Sequence, residues 1–286
     1  MIRPDINQLG AMPPFCRLDP RQLREILALS ESRHLIGGAT VFDEGQPTRR
    51  FHLLMSGNIR LVRLTAEGDQ IIVLHIQAGQ VFGIGAALGQ ETYHASAIAA
   101  GDCRILSWPN ALWQGFSMAY DGFASETFRA YGARADEMSN RIVELSTKLV
   151  EQRIACALLR MITQSGRKIA GGIKIGFPIT RQNIADMTGT TLHTVSRVLS
   201  LWERDGVVKS TRGHVVVTAP HRLVVMSGAA ICPDADDPRM QARTRPLYAA
   251  ASTARKVALP RAYSPQGFLL RGTAKPTGRN PSASAT

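Results

Sequence analysis

The chain has 286 residues, 44% hydrophobic and 20% charged, which accommodates one large or two modest globular domains and excludes a short disulfide-stapled peptide. A formal net charge of +12 and a pI near 10.2 favour a polyanionic partner, either nucleic acid or an anionic membrane surface. Apolar runs such as Ile71 to Ile76 fall far short of a transmembrane helix, and residues 1–20 lack a basic-then-apolar leader pattern, so the chain reads as a soluble cytoplasmic protein with no membrane partner.

The first predicted element is a short packing helix. Asp19 can cap it, Pro20 suits its first position, and Leu23, Ile26 and Leu27 give it an apolar stripe. From Gly37 to about Trp108 the pattern becomes short apolar runs separated by turns at Gly45, Gly57, Gly68, Gly79 and Gly101. Val41 and Phe42, Phe51 to Met55, Ile59 to Leu64, Ile71 to Ile76, Val81 to Ile84, Ala95 to Ala99 and Cys103 to Trp108 each fit a strand. Such spacing with no intervening helix predicts an antiparallel barrel or jelly roll closed around a cavity.

A long helix follows. Phe128, Tyr131, Ala135, Met138, Ile142, Leu145 and Leu149 alternate in steps of three and four, a three-heptad seam flanked by charged residues. A stripe so narrow predicts a parallel homodimer; packing against the barrel would normally show a wider one. A second helix over Ile154 to Ile162, a basic Gly-rich link and a strand over Ile173 to Phe177 lead to the most specific segment of the chain.

Thr180 can cap a helix that ends at Gly189, and a second helix runs from Leu192 to Arg204. Closely crossing helices need a small residue in the first, a residue tolerating positive φ in the turn and an aliphatic residue in the second; Ala185, Gly189 and Val195 supply them at helix-turn-helix offsets. The second helix then presents Leu192, His193, Ser196 and Arg197 to base edges in a major groove, the Arg197 fork matching guanine O6 and N7. The bland alternatives are a phosphate or solvent contact for Arg197 and His193. Val207 to Lys209 and Val215 to Val217 form a wing. Thr180, Arg181, Thr191, Thr194, Lys209, Arg212 and His214 are candidate phosphate contacts, which set register rather than sequence.

Residues 226–286 are rich in Ala, Arg, Pro, Ser and Thr and carry nine Lys or Arg against three Asp, so they supply +6 of the charge. That composition predicts a disordered basic tail. The expected layout is α+β: a β-roll over 18–117, a dimerisation helix over 118–150, a winged helix-turn-helix over 151–222, then the tail.

The stretch from Thr180 to Leu199, TRQNIADMTGTTLHTVSRVL, resembles the helix-turn-helix of the Crp/Fnr superfamily of bacterial transcription regulators. Gly38 to Trp108, with Phe42, Glu44, Gly45, Gly57, Gly79 and Phe82, is similar to that family's cyclic-nucleotide-binding-like roll, so the resemblance spans Leu18 to Ala219. It implies a homodimer on a palindromic operator, RNA polymerase as a partner, and an effector sensed by the roll.

Two departures accompany it. Cyclic-AMP-binding members pair a Gly-Glu carboxylate with an arginine about ten residues later; here Phe82 to Ala97 reads FGIGAALGQETYHASA, with no arginine and Glu91 placed late, so cyclic AMP is not expected to bind in the usual way. Where most relatives carry a glutamate that accepts from cytosine N4, this chain has His193, so the base pair read there should differ.

No cofactor is predicted. Cys16, Cys103, Cys156 and Cys232 have no local cluster spacing and read as free thiols, which argues against an iron–sulfur cluster. His52, His75 and His94 are the haem-ligand candidates, each read first as a strand histidine; no HxH pair supports a metal enzyme. The competing class is a dimeric scaffold that no longer grips DNA, against which the basic wing and Arg197 argue.

Overall fold

A computed structural model of the chain describes residues 5–211 and 213–228; Arg212, Cys232 and the tail expectation over 229–286 lie outside the described residues. Helix α1 (Ile6–Gly10) is followed by α2 (Pro20–Ala28), capped as its sequence predicts. The Asp19 carboxylate accepts from the Arg21 and Gln22 amides at 2.7 and 2.9 Å, and the Gln22 side chain accepts from the Asp19 amide at 3.1 Å. Leu23 and Ile26 are buried, and the Trp108 indole N–H donates to the Ile26 carbonyl at 2.9 Å, tying this helix to the next domain.

Eight strands follow: β1 (Glu31–Leu35), β2 (Thr40–Phe42), β3 (Arg50–Ser56), β4 (Asn58–Leu64), β5 (Gln70–Gln77), β6 (Val81–Phe82), β7 (Ser96–Ala99) and β8 (Cys103–Pro109). They form two antiparallel four-stranded sheets, β1-β8-β3-β6 and β2-β7-β4-β5, the predicted double-sheet roll. Strand β1 carries a single buried residue, Leu35, and therefore gives no alternating apolar signal. The turn between β3 and β4 requires glycine: Gly57 has φ +92, and a Cβ there would lie 2.4 Å from the Asp102 carbonyl oxygen. Inside the roll Phe42 of β2 stacks on Tyr93 at 3.7 Å and lies against His52 of β3 and Phe82 of β6, an aromatic cluster that joins the two sheets.

His52 and His75 are both buried. Desolvation, reinforced by Arg50 and Arg33, lowers the His52 pKa to about 3; desolvation with Arg141 and Arg60 does the same for His75. Each ring is thus neutral in the folded chain below the ordinary value of 6.5, where the unfolded chain binds a proton. Their contribution to stability is complete above pH 6.5 and declines as pH falls towards 3. Thermal melts between pH 7 and pH 5 are expected to show Tm falling with acidification, less steeply in His75→Gln; parallel slopes would contradict this.

Helix α3 (Trp113–Ala119), helix α4 (Phe123–Thr147) and helix α5 (Val150–Ser165) occupy the expected helical region, but not as one helix over 118–150. Gly122 adopts φ +81 before α4, and Lys148 and Leu149 are extended after it. Leu149 is therefore off α4, flanking the start of α5 with its amide donating to the Gln152 side chain at 3.0 Å. Steps of three and four run across a two-residue interruption unchanged, so the seam's spacing did not register it.

The C-terminal part comprises β9 (Arg167–Ile169), β10 (Gly172–Lys174), α6 (Arg181–Thr188), α7 (Leu192–Arg204), β11 (Val208–Thr211), β12 (His214–Val217) and α8 (Pro220–Met226). Its sheet runs β11-β12-β10-β9. Ile154, Leu158, Ile184, Leu199, Trp202 and Leu223 are buried in one core, which also takes in Val62 and Ile72 from the roll.

Candidate nucleic-acid interface

Local chemistry sets both helices of the helix-turn-helix. The Thr180 hydroxyl accepts from the Asn183 amide at 3.1 Å while the Asn183 side chain accepts from the Thr180 amide at 3.1 Å. The first helix ends at Gly189, which has φ +59, and Thr191 caps α7 by accepting from the Thr194 amide at 3.2 Å. Ala185 and Val195 are wholly buried at the crossing.

Val195, Val198, Leu199 and Trp202 form the buried face of α7. On the other side Leu192, His193 and Arg197 are exposed and Ser196 is half-buried, so the four candidate base-reading residues share one outward surface at the helix's N-terminal end. Arg197 makes no hydrogen bond or ion pair among the described residues.

The candidate phosphate contacts are less uniform. Lys209 is exposed and His214 is half-buried, its Nδ1 without a hydrogen-bond partner among the described residues. Thr180, Thr191 and Thr194 already serve the caps, the last two with hydroxyl oxygens 2.9 Å apart, leaving limited capacity to meet a phosphate. Arg181 lies 3.5 Å from Glu203, whose carboxylate also accepts from the Ser210 amide at 3.1 Å, joining α6, α7 and the wing. Sequence reasoning missed Arg222, which donates to the Asp205 carbonyl at 2.7 Å and caps the end of α7 from α8. A cap reached through tertiary structure leaves no local pattern.

Along α4, Phe128, Tyr131, Ala135, Met138, Ile142 and Leu145 are all exposed, Ile142 at 64%. The buried residues of α4, Phe123, Thr127 and Arg134, lie alongside that row. Arg134 donates to the Val81 carbonyl at 2.9 Å and the Gln80 side chain at 3.2 Å; desolvation lowers its pKa to about 10, so it stays charged at neutral pH. Glu144 receives Arg160 through both oxygens at 2.6 and 2.7 Å.

Within 82–97 Ile84 is buried and Glu91 is exposed. His52 shares a hydrogen bond with Ser107 Oγ at 2.7 Å, the His75 ring lies against Phe177, and His94 is exposed. The Cys103 thiol donates to the Asn58 and Gly101 carbonyls, and burial raises its pKa; Cys16 is exposed. Among the described residues no group of three or more His, Cys, Asp or Glu could hold a metal ion, and no helix is long and apolar enough to cross a membrane.

Comparison with known proteins agrees with this geometry. Residues 32–120 match the cyclic nucleotide-binding domain family, and residues 152–226 the Crp-like helix-turn-helix domain. The nitrogen fixation regulation protein FixK of Bradyrhizobium diazoefficiens is 26% identical over 216 residues, 74% of this chain and 88% of that protein. The cyclic AMP receptor protein of Thermus thermophilus is 27% identical, over 72% of this chain and 92% of that protein. The solved structure of FixK2 from Bradyrhizobium japonicum shares the fold, with a TM-score of 0.62 at 22% identity, covering 71% of this chain and 99% of that one.

Proposed function

The chain belongs to the Crp/Fnr superfamily of transcription regulators, and from that premise we propose that it binds a palindromic operator as a homodimer and controls transcription through RNA polymerase in response to a signal received by the roll. It is a helix-turn-helix regulator and not an enzyme. The observation that carries the proposal is the outward surface of α7, with Arg197 exposed and without a hydrogen-bond or ion-pair partner among the described residues, at the end a recognition helix inserts into the major groove. Ser196 and Arg197 read bases, with Leu192 beside them. His193, where relatives place a glutamate acceptor, reads a different base pair or a phosphate. Lys209, Arg212 and Arg181 hold the backbone, Arg181 by exchanging Glu203 for a phosphate. The apolar row on α4 is the dimer seam, which leaves each recognition helix to one half-site. Cyclic AMP is not the signal we assign, because the stretch 82–97 lacks the arginine that would neutralise a cyclic phosphate.

Titrating the protein on mixed-sequence duplex across a salt series tests DNA binding itself. Affinity should fall linearly in a log–log plot, with a slope of ~0.9 per phosphate neutralised. Absence of salt-dependent binding would support a scaffold instead.

A further inference from the structure

We infer that Arg141 is a positioning residue that couples the roll to the helix-turn-helix within one protomer, one guanidinium holding both the edge of β5 and the end of α6. The functional meaning rests on reading α6 and α7 as the DNA-reading unit; the coupling itself rests on geometry.

Strand β5 is the edge of its sheet, and its ladder with β4 is interrupted. Leu61 pairs with Leu74 and Val62 with Ile72, so Val73 is the extra residue of a β-bulge and the strand is locally turned out of regular pairing. From α4, Arg141 donates to the carbonyls of Val73 and Ile72, the latter at 3.1 Å. The same Nη2 that meets Ile72 also donates to the Met187 carbonyl at 2.8 Å. Met187 is in the last turn of α6, where carbonyls lack intrahelical partners and the helix dipole favours a cation. A carbonyl from the sensing domain and one from the reading domain are therefore fixed to a single nitrogen on the helix between them.

The packing around this point agrees. Val62 and Ile72 are buried in the C-terminal core, and the His75 ring lies 4.9 Å from that of Phe177. Nη1 of Arg160 donates to both oxygens of Glu144, while the hydrogen bonds of the Arg141 fork go to the carbonyls. Lysine could not reproduce the arrangement, because an ammonium lacks the planar fork that spans two strand carbonyls and a helix end. A shift of the β5 edge would thus reach α6 without passing through the partner protomer.

The test uses full-length Arg141→Met and Arg141→Lys. In the Met variant, without DNA, amide exchange across 181–191 should quicken by about tenfold while β3 and β8 exchange as in wild type. The Lys variant, which retains the charge, should fall between the two and carries the test if the Met variant does not fold. Affinity for duplex should drop by about tenfold with the salt slope unchanged, since no phosphate contact is lost. Unchanged exchange over 181–191, or acceleration spread equally over β3 and β8, would overturn the proposal. Should wild-type protein bind no duplex while the exchange effect stands, the DNA-reading assignment fails and the coupling survives.

Discussion

Replacing Arg197 with Ala is expected to weaken binding to a selected operator by about 5- to 150-fold, the equivalent of ~1–3 kcal/mol for one bidentate guanine contact. Folding should be almost unaffected, within ~0.5 kcal/mol, because the side chain is exposed and engages no partner among the described residues. Affinity for unrelated duplex should change little, and Arg197→Lys should not restore the preference, since an ammonium cannot repeat the planar fork. Anisotropy titrations on operator and on a version altered at the guanine separate the cases. If the Ala variant lost affinity equally on all sequences, with the salt slope reduced by ~0.9, Arg197 would be a phosphate contact.

The second large effect is expected from Met138→Glu combined with Ile142→Glu. These residues are 40% and 64% exposed on α4, so the single protomer loses little by their replacement. In a parallel pair of helices the same changes place four carboxylates along an apolar seam, and the dimer should dissociate. Each protomer would then hold one half-site alone, and operator affinity should fall by about 100-fold or more as the linked second contact is lost. Sedimentation velocity checks the first step and duplex titration the second. A variant that stays dimeric and binds normally would mean that α4 does not carry the dimer contact.

Legibility in the sequence tracked how local the determining chemistry is. The two helices of the reading unit were visible because Thr180, Gly189 and Thr191 each act within three or four residues of their own position. The strands of the roll were visible wherever apolar residues cluster; β1, with Leu35 alone buried, and β9, wholly exposed, were not. Helix α8 was missed because seven residues opening on a proline offer too short a pattern, although Leu223 anchors it in the core. Leu149 fitted the seam by spacing, but the chain is extended there. The arginines that organise the molecule were opaque for a different reason. Arg134, Arg141 and Arg222 donate to backbone carbonyls far away in the chain, and a carbonyl carries no residue identity for a sequence to display.

The most direct measurement is selection of randomised duplexes by the purified full-length protein in air, with no ligand added, followed by sequencing of the bound fraction. The expected result is a two-fold symmetric site with half-site centres about one helical turn apart, a guanine at the position met by Arg197, and a base pair opposite His193 that departs from the half-site read by glutamate-bearing relatives. Recovery of the usual half-site unchanged would contradict the role assigned to His193. No enrichment in air, without oxygen or with candidate effectors added would contradict sequence-specific DNA reading altogether.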